Sequence, residues 1–315
     1  MIIRPALPAD AAGVRAVCAA SLPFEPDAAD LPAVLGIPPR TGLALVAEDG
    51  GNVTGVVSGS LRQAPPGAAC GYADLIAVAP QARGRGTGAG LLGALEEELR
   101  SRGATEIRLA GNPPGYLWPG VDPRYTALTC LAERAGYQRC GDAVNMAVDL
   151  GVTPLDTRDE ERRLASSGIA VRRARPEEAG AVAGWLREGP WGMSSWPEEA
   201  ERALARGPAG CHIAARDGCY IAFACHGCVR DGWFGPTGTL EHERRNGIGA
   251  VLLKRCLADI REAGHKSAQI AWTGPVRFYA RAVGARIDRV FWLYRKRLGV
   301  DVAAGVQPER PLLQQ

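Results

Sequence analysis

Short apolar runs separated by turn residues in the first third of the chain predict strands of an antiparallel sheet. The runs Leu43–Glu48 and Val53–Leu61 are mostly apolar and are joined by Asp49-Gly50-Gly51-Asn52, residue types that tolerate positive φ in hairpin turns. A third run, Tyr72–Val78, ends at a glycine-rich loop. Leucines at helical spacing then follow in Ala89–Arg102. The pattern therefore predicts a hairpin, a third strand, a loop and a long helix.

The rest of the first half continues this mixed order. Thr105–Ala110 predicts a strand, and the proline- and glycine-rich segment Asn112–Arg124 predicts an ordered loop. Tyr125–Ala135 predicts a helix that stops at Gly136, and Val144–Leu150 predicts a last strand.

The second half repeats the order of the first, which indicates an internal duplication. Its predicted strands are Ile169–Ala174, Cys211–Ala215, Tyr220–Val229, Trp233–Leu240, Ser267–Trp272 and Ala285–Leu298, and its predicted helices include Pro197–Arg206, Ala250–Ala263 and Val276–Val283.

Two domains of the α+β class are predicted, each with a mixed, mainly antiparallel sheet flanked by helices. We place them at residues 1–150 and 169–298, with a charged linker at 151–168 and a frayed tail at 299–315. The linker carries no strong core pattern, although its charged middle is compatible with a helical turn.

The two glycine-rich loops have identical spacing. Arg83-Gly84-Arg85-Gly86-Thr87-Gly88 and Arg244-Arg245-Asn246-Gly247-Ile248-Gly249 both read Arg-x-x-Gly-x-Gly between a strand and a helix. Glycines allow a tight turn that exposes successive N–H groups, and the helix start adds unpaired N–H groups and the positive end of its dipole. Both loops therefore predict a phosphate site.

Composition and charge limit the classes of partner that we expect for this protein. The 315 residues carry a formal net charge of +3 and 46% hydrophobic residues, so no nucleic-acid partner is expected. The chain contains no apolar run long enough for a membrane span, and we expect a cytoplasmic protein with nine reduced cysteines. The preference for alanine, arginine and glycine indicates a GC-rich bacterial genome. Cys225-His226-Gly227-Cys228 has metal-like spacing but no second pair nearby, which favours a buried strand and no metal site.

These residues resemble the GCN5-related N-acetyltransferases (the GNAT superfamily) in tandem. The shared features are the strand and loop, the leucine pair in the long helix, and the short helix closed by glycine. They lie at Leu75–Gly88, Leu91-Leu92 and Ala135-Gly136-Tyr137 in the first copy, and at Thr239–Gly249, Leu252-Leu253 and Phe278–Ala285 in the second.

The resemblance implies acetyl-CoA, or another acyl-CoA, as co-substrate. The loop amides would hold the CoA pyrophosphate, and the preceding strand would bond the pantetheine as an added strand. Asn112 lies where family members often have a cofactor-binding asparagine; it is equally compatible with a loop residue that bonds its own backbone. The implied cofactor residues are Ile76, Ala77, Val78, Arg83, Gly84, Arg85, Gly86, Thr87, Gly88 and Asn112, and Gly238, Thr239, Leu240, Arg244, Arg245, Asn246, Gly247, Ile248 and Gly249.

The resemblance also implies catalytic groups, and the copies differ in them. Family members often carry a tyrosine acid five residues before the glycine that ends the short helix; Tyr279 has that offset, whereas the first copy has Leu131. A carboxylate base is often found on the strand before the loop, where the first copy has Asp74. We favour the second copy as catalytic. Tyr279 as a packing aromatic and Asp74 as a structural partner of an arginine remain open.

Four aromatic residues are candidates for the acceptor site, or for packing between segments: Tyr116, Trp118, Trp191 and Trp196. The first hypothesis is N-acyl transfer to a small amine such as an amino sugar, an antibiotic or a metabolite. The alternatives are a non-catalytic CoA-binding protein with decayed sites, and acylation of a protein N-terminus or lysine. A monomer and a homodimer are both compatible with the sequence.

Overall fold

The predicted hairpins form in two separate units of the chain. The computed structural model describes residues 1–37, 43–64, 68–112, 114–205 and 210–298, so Pro113 and the predicted tail lie outside the described residues. One unit comprises Met1–Asp142 and the residues from Phe291 onward, and the other comprises Ala143–Val290.

The first unit is built on six strands in the order β1-β2-β3-β4-β5-β12. Neighbouring strands are antiparallel except β4 and β5, which are parallel. The strands are β1 (Ile2–Pro5), β2 (Leu43–Asp49), β3 (Asn52–Ala64), β4 (Ala68–Val78), β5 (Ala104–Leu109) and β12 (Arg286–Arg297), the last contributing its residues from Phe291.

Helices cover both faces of this sheet because alternate strand residues point to opposite sides. Val56 packs in one apolar cluster with Val14 and Val17, whereas Val57 packs in another with Leu91 and Leu95. Each fully buried leucine contributes about 1.5–3 kcal/mol of transfer free energy. The helices are α1 (Ala11–Ser21), α2 (Leu31–Val34), α3 (Thr87–Ser101) and α4 (Thr126–Arg134).

The second unit repeats this plan in the order β6-β11-β10-β9-β8-β7, with β10 and β11 parallel. Its strands are β6 (Gln138–Asp149, from Ala143), β7 (Ile169–Arg173), β8 (Gly210–Arg216), β9 (Cys219–His226), β10 (Trp233–Thr239) and β11 (Ser267–Ile270). Its helices are α5 (Arg158–Ser166), α6 (Ala179–Glu188), α7 (Trp196–Ala205), α8 (Ile248–Glu262) and α9 (Val276–Val283).

Each unit receives its last strand from the other half of the sequence. Tyr294 of β12 lies opposite Leu109 of β5, and Ala147 of β6 lies opposite Gln269 of β11. The units are therefore not contiguous in sequence, whereas the predicted domains are. The predicted limits describe the sequence repeat and stay a prediction.

The predicted linker packs into the second unit. It contains α5, and Leu155 and Leu164 are buried in the core cluster of that unit. The side chain of Lys254 contacts Glu160 at 2.7 Å. The segment thus has a core role that its charged sequence did not reveal.

A candidate cofactor cleft in the first unit

A cleft opens in the first unit where β4 and β5 separate. Pairing between them runs from Ala69 opposite Ala104 to Ala73 opposite Leu109, and ends with a 2.9 Å hydrogen bond from the Ala110 N–H to the Ala73 carbonyl. Residues 75–78 of β4 pair with β3, beyond the last pair that β4 makes with β5. The free edge of β4 therefore lies along a cleft of about 670 Å³.

Most of the first predicted cofactor set borders this cleft. Ile76, Ala77 and Val78 form part of its floor, and α4 forms a wall with Leu131. Arg83, Gly84, Gly86, Thr87 and Gly88 line it at the loop. Arg85 is exposed outside that lining.

The loop has the geometry of an anion site. Gly84 and Gly86 have φ of 72° and 83°, and Gly86 is the N-cap of the fifteen-residue helix α3. The Arg83 guanidinium donates to the Val78 carbonyl at 3.1 Å, and the Thr87 hydroxyl donates to the Ala82 carbonyl at 3.0 Å. Because Gly86, Thr87 and Gly88 line the cleft, the unpaired backbone N–H groups at the start of α3 are available there to an anion.

Asp74 sits at a bulge on the floor of the cleft. Ser58 lies opposite Leu75 and Gly59 opposite Ala73, so Asp74 is the extra residue of β4. The Ser60 hydroxyl donates to Asp74 Oδ2 at 2.6 Å, and Asn112 Nδ2 donates to Ser60 Oγ at 2.5 Å. Burial raises the pKa of Asp74 to about 6, while hydrogen bonds from Ser60 and Asn112 limit that rise.

The segment after β5 supplies one wall of the cleft. Trp118 is buried there, and its indole N–H donates to Glu25 Oε1 at 2.9 Å. Arg124 also lines the cleft, with its guanidinium 4.4 Å from the ring centre of Phe24. Tyr116 lies outside the lining, so the two aromatic residues predicted from this segment have different environments.

The second unit carries the same loop with one difference in its backbone. Gly247 has φ of 83°, as Gly86 does, and the Arg244 guanidinium donates to the Thr239 carbonyl at 3.3 Å. Arg245, at the position of Gly84, has φ of 69°, a conformation that costs a non-glycine residue about 1–2 kcal/mol. The loop shape is retained although its sequence is less suited to it.

Aromatic side chains cover the strand that precedes this second loop. A Cβ placed on Gly238 would lie 2.5 Å from Trp191 and 3.0 Å from Phe223, so Trp191 packs directly on the backbone of β10. Trp191 also stacks on Trp196 with ring centres 6.1 Å apart. The corresponding position in the first unit is Ala77. The two tryptophans predicted to face an acceptor thus pack against the apolar cluster of this unit.

Tyr279 is a core residue of the second unit. It is 5% exposed and packs edge-on against Phe234 and Phe278, at 6.0 and 4.9 Å between ring centres. Burial raises the pKa of its hydroxyl well above the usual value. Phe278 approaches Gly249, where a Cβ would lie 3.5 Å from its ring. These contacts are compatible with Tyr279 as a packing residue, one of the two roles that the sequence left open. Its role as a general acid stays a prediction.

Sequence reasoning missed Ser60. It lies on β3 without a motif around it, and its link to Asp74 depends on the bulge in β4. For Asn112 the sequence left open contact with the cofactor or a bond to its own backbone; in the structure its amide donates to Ser60, and contact with the cofactor stays a prediction. Among the described residues, no three histidine, cysteine or acidic side chains are arranged to hold a metal ion, and no helix is long and apolar enough to cross a membrane.

Comparison with known proteins agrees with the fold and the loop. Residues 18–115 match the sequence profile of the Acetyltransferase (GNAT) family. A tandem GNAT protein from the clavulanic acid biosynthesis pathway superimposes with a TM-score of 0.66 at 18% identity, over 96% of this chain and 100% of the other. Residues 18–115 therefore carry the GNAT family signature, and the chain shares the fold of a tandem GNAT protein.

Two further structures share the fold of this chain. A GCN5-related N-acetyltransferase from Sphaerobacter thermophilus has a TM-score of 0.68 at 20% identity, over 96% of this chain and 97% of the other. The glucosamine N-acetyltransferase region of a fungal multi-domain GH3 beta-N-acetylglucosaminidase has a TM-score of 0.77 at 20% identity, over 94% of this chain. Our chain spans 38% of that larger protein. A search of curated protein sequences gives no match.

Proposed function

We propose that the first unit binds an acyl-CoA, most simply acetyl-CoA, and transfers its acyl group to the amine of a small molecule. The observation that carries this proposal is the cleft beside β4. It brings together an open strand edge, an anion-binding loop and a carboxylate with a raised pKa. The family profile matches the same part of the chain.

Each part of the cleft has a role in binding the donor. The N–H groups of residues 84–88 and the start of α3 bind the pyrophosphate. The free edge of β4 at Ile76–Val78 pairs with the amide groups of pantetheine, as an added strand does. This places the thioester at the inner end of the cleft, towards Asp74.

The chemistry is direct transfer. Asp74, directly or through one water, takes a proton from the ammonium of the acceptor, and the neutral nitrogen then attacks the thioester carbonyl. A C–N bond forms, the C–S bond breaks, and CoA leaves as the thiolate, which takes up the proton that the new amide nitrogen loses. A carboxylate with a pKa near 6 is ionised at neutral pH yet basic enough to accept the proton.

This assignment moves catalysis from the second unit to the first. In the second unit Trp191 covers the strand that pantetheine would join, and Tyr279 is packed among phenylalanines. Pro236 of that strand also lacks an N–H, whereas the corresponding residue of the first unit, Leu75, has one. We therefore propose that the second unit is mainly structural.

Amino sugars are the first acceptors to test, since a structural neighbour is a glucosamine N-acetyltransferase region. The wall made by Trp118 suits the apolar face of a sugar ring, and Asp74 suits its ammonium.

Matched loop variants test which unit binds the donor. Gly86→Val and Gly247→Val place a side chain at the same φ of 83° in the two loops, so both strain the backbone equally. Isothermal titration with acetyl-CoA should give one site per chain in the wild type. Gly247→Val should keep that site and Gly86→Val should lose it, with melting temperatures as the folding control. The opposite pattern would assign the donor to the second unit.

Thiol release over a panel of amines tests the reaction. We expect acetyl-CoA turnover with an amine such as glucosamine, and Asp74→Asn should abolish it while acetyl-CoA still binds. Binding without thiol release on small amines, peptides or lysine would instead support a non-catalytic CoA-binding protein. Turnover with peptides alone would assign a protein acceptor.

A further inference from the structure

Three side chains from separate segments form a hydrogen-bond chain that ends at Asp74, the member that lines the cleft. Asn112 follows β5, Ser60 lies on β3, and Asp74 lies on β4. The two links are 2.5 Å from Asn112 Nδ2 to Ser60 Oγ and 2.6 Å from Ser60 Oγ to Asp74 Oδ2. All three residues are partly buried.

The direction of this chain follows from what each group is able to donate. An amide nitrogen only donates, so the Ser60 oxygen accepts from Asn112. A serine hydroxyl has one proton, and the acceptor left for it is Asp74 Oδ2. The Ser60 bond occupies Asp74 Oδ2 and so directs proton transfer to Oδ1, while the Asn112 amide adds a hydrogen bond of its own to the carboxylate.

We propose that Ser60, with its hydroxyl oriented by Asn112, is a positioning residue that fixes which oxygen of Asp74 accepts the substrate proton. This inference rests on the proposed function of the first unit. Neither Ser60 nor Asn112 needs to touch the acceptor, because both act through the carboxylate.

The link also sets the pH range in which the base works. A hydrogen bond to the charged form favours that form, so the Ser60 hydroxyl lowers the pKa of Asp74 against the opposing effect of burial. Ser60 faces Asp74 from β3, and Asn112 faces the pair from the segment after β5. The other charged or titratable side chains that line the cleft are Arg83, Asp122, Arg124, Tyr125, Cys130 and Arg134.

The test is the pH profile of kcat/KM for Ser60→Ala and Ser60→Thr, measured by thiol release with the best amine found. In the wild type kcat/KM should decrease on the acid side of the profile (the acid limb) with a midpoint near pH 6. Ser60→Ala should move that limb upward by about one pH unit, the scale of one lost hydrogen bond to a charged group. The KM for acetyl-CoA should stay unchanged. Ser60→Thr keeps the hydroxyl and should restore the wild-type limb.

Asn112→Ala should shift the limb in the same direction, because the carboxylate loses the hydrogen bond from the amide and the Ser60 hydroxyl is no longer oriented. An unshifted limb in Ser60→Ala, with the limb abolished in Asp74→Asn, would overturn the role of Ser60 and leave the proposed base intact. Full activity of Asp74→Asn would instead overturn the proposed function. A fall in melting temperature without a shifted limb would identify Ser60 as merely structural.

Discussion

Replacing Gly238 by alanine tests whether the second unit has filled its own cofactor strand. The first unit has Ala77 at this position, so the change restores the residue that an open strand carries. In the second unit the new Cβ would lie 2.5 Å from the Trp191 ring and 3.0 Å from Phe223. Trp191 has little room to move, since Trp185 and Trp196 pack against it at 5.3 and 6.1 Å between ring centres.

Two opposing effects set the magnitude. Overpacking of this kind costs about 1–3 kcal/mol. Alanine also restricts the unfolded chain, which returns about 0.4–1 kcal/mol. The middles of the two ranges differ by about 1.3 kcal/mol, which is the expected net loss of unfolding free energy. At about 2–4 °C per kcal/mol, calorimetry should show a melting temperature lower by roughly 3–5 °C.

Gly249→Ala is the matched control in the same unit. Its Cβ would lie 3.5 Å from Phe278, an ordinary contact, and the residue is in helix α8. Alanine is favoured over glycine in a helix by about 1 kcal/mol, so this variant should be neutral or more stable. In a Trp191→Leu background, Gly238→Ala should lower the melting temperature very little, because the indole ring that the new Cβ would meet is gone. If Gly238→Ala is as stable as the control, Trp191 does not pack on this strand and our reason for excluding the second unit fails.

The remaining predictions concern catalysis and pH. Asp74→Asn should lower kcat by about 10²-fold or more, the scale of a general base, whereas Tyr279→Phe should leave kcat within a few-fold; a large loss in Tyr279→Phe alone would return catalysis to the second unit. In the second unit His212 donates or accepts at 2.8 Å with Asp259, which also contacts His226 at 3.1 Å. Burial lowers the pKa of His212 below its usual 6.5, so the unfolded chain takes up a proton first and stability should fall as the pH drops through 6.5. Burial opposes ionisation of Asp259, but the two histidines hold its pKa well below 3.8, so a second loss should follow below that pH. Melting curves from pH 8 to 3 should show both losses, and His212→Gln should remove the first; an unchanged slope between pH 7 and 5 in that variant would contradict the assignment.

The sequence predicted the elements well where the local pattern is strong. The hairpin turn at Asp49–Asn52 and the loop glycines specify their own backbone, and α9 has the predicted bounds Val276–Val283. The predicted ends of strands were less accurate where tertiary contacts determine them. The strand predicted to reach Trp272 stops at Ile270, because Trp272 has φ of 47°.

The candidate site was predicted only in part. The loop Arg83–Gly88 follows from residue types and spacing, and Asp74 follows from resemblance. Ser60 does not, because a bulge in β4 decides which side chain of β3 meets the carboxylate. Trp118 and Trp191 were both candidates for the acceptor site in the sequence. In the structure Trp118 lines the open cleft, whereas Trp191 packs on the backbone of β10.

Two copies of a strand–loop–helix module can be recognised from the local sequence, because glycine positions and hydrophobic period are local properties. The sequence by itself did not determine how the modules are completed or which one is open. Strands β6 and β12 have corresponding places in the two copies, so their alternating patterns suit either sheet, and only tertiary pairing shows that they are exchanged. The open cleft likewise depends on whether a side chain distant in sequence packs against the strand. The two loops have identical spacing in sequence, so only contacts in the folded structure show which preceding strand is open and which is covered.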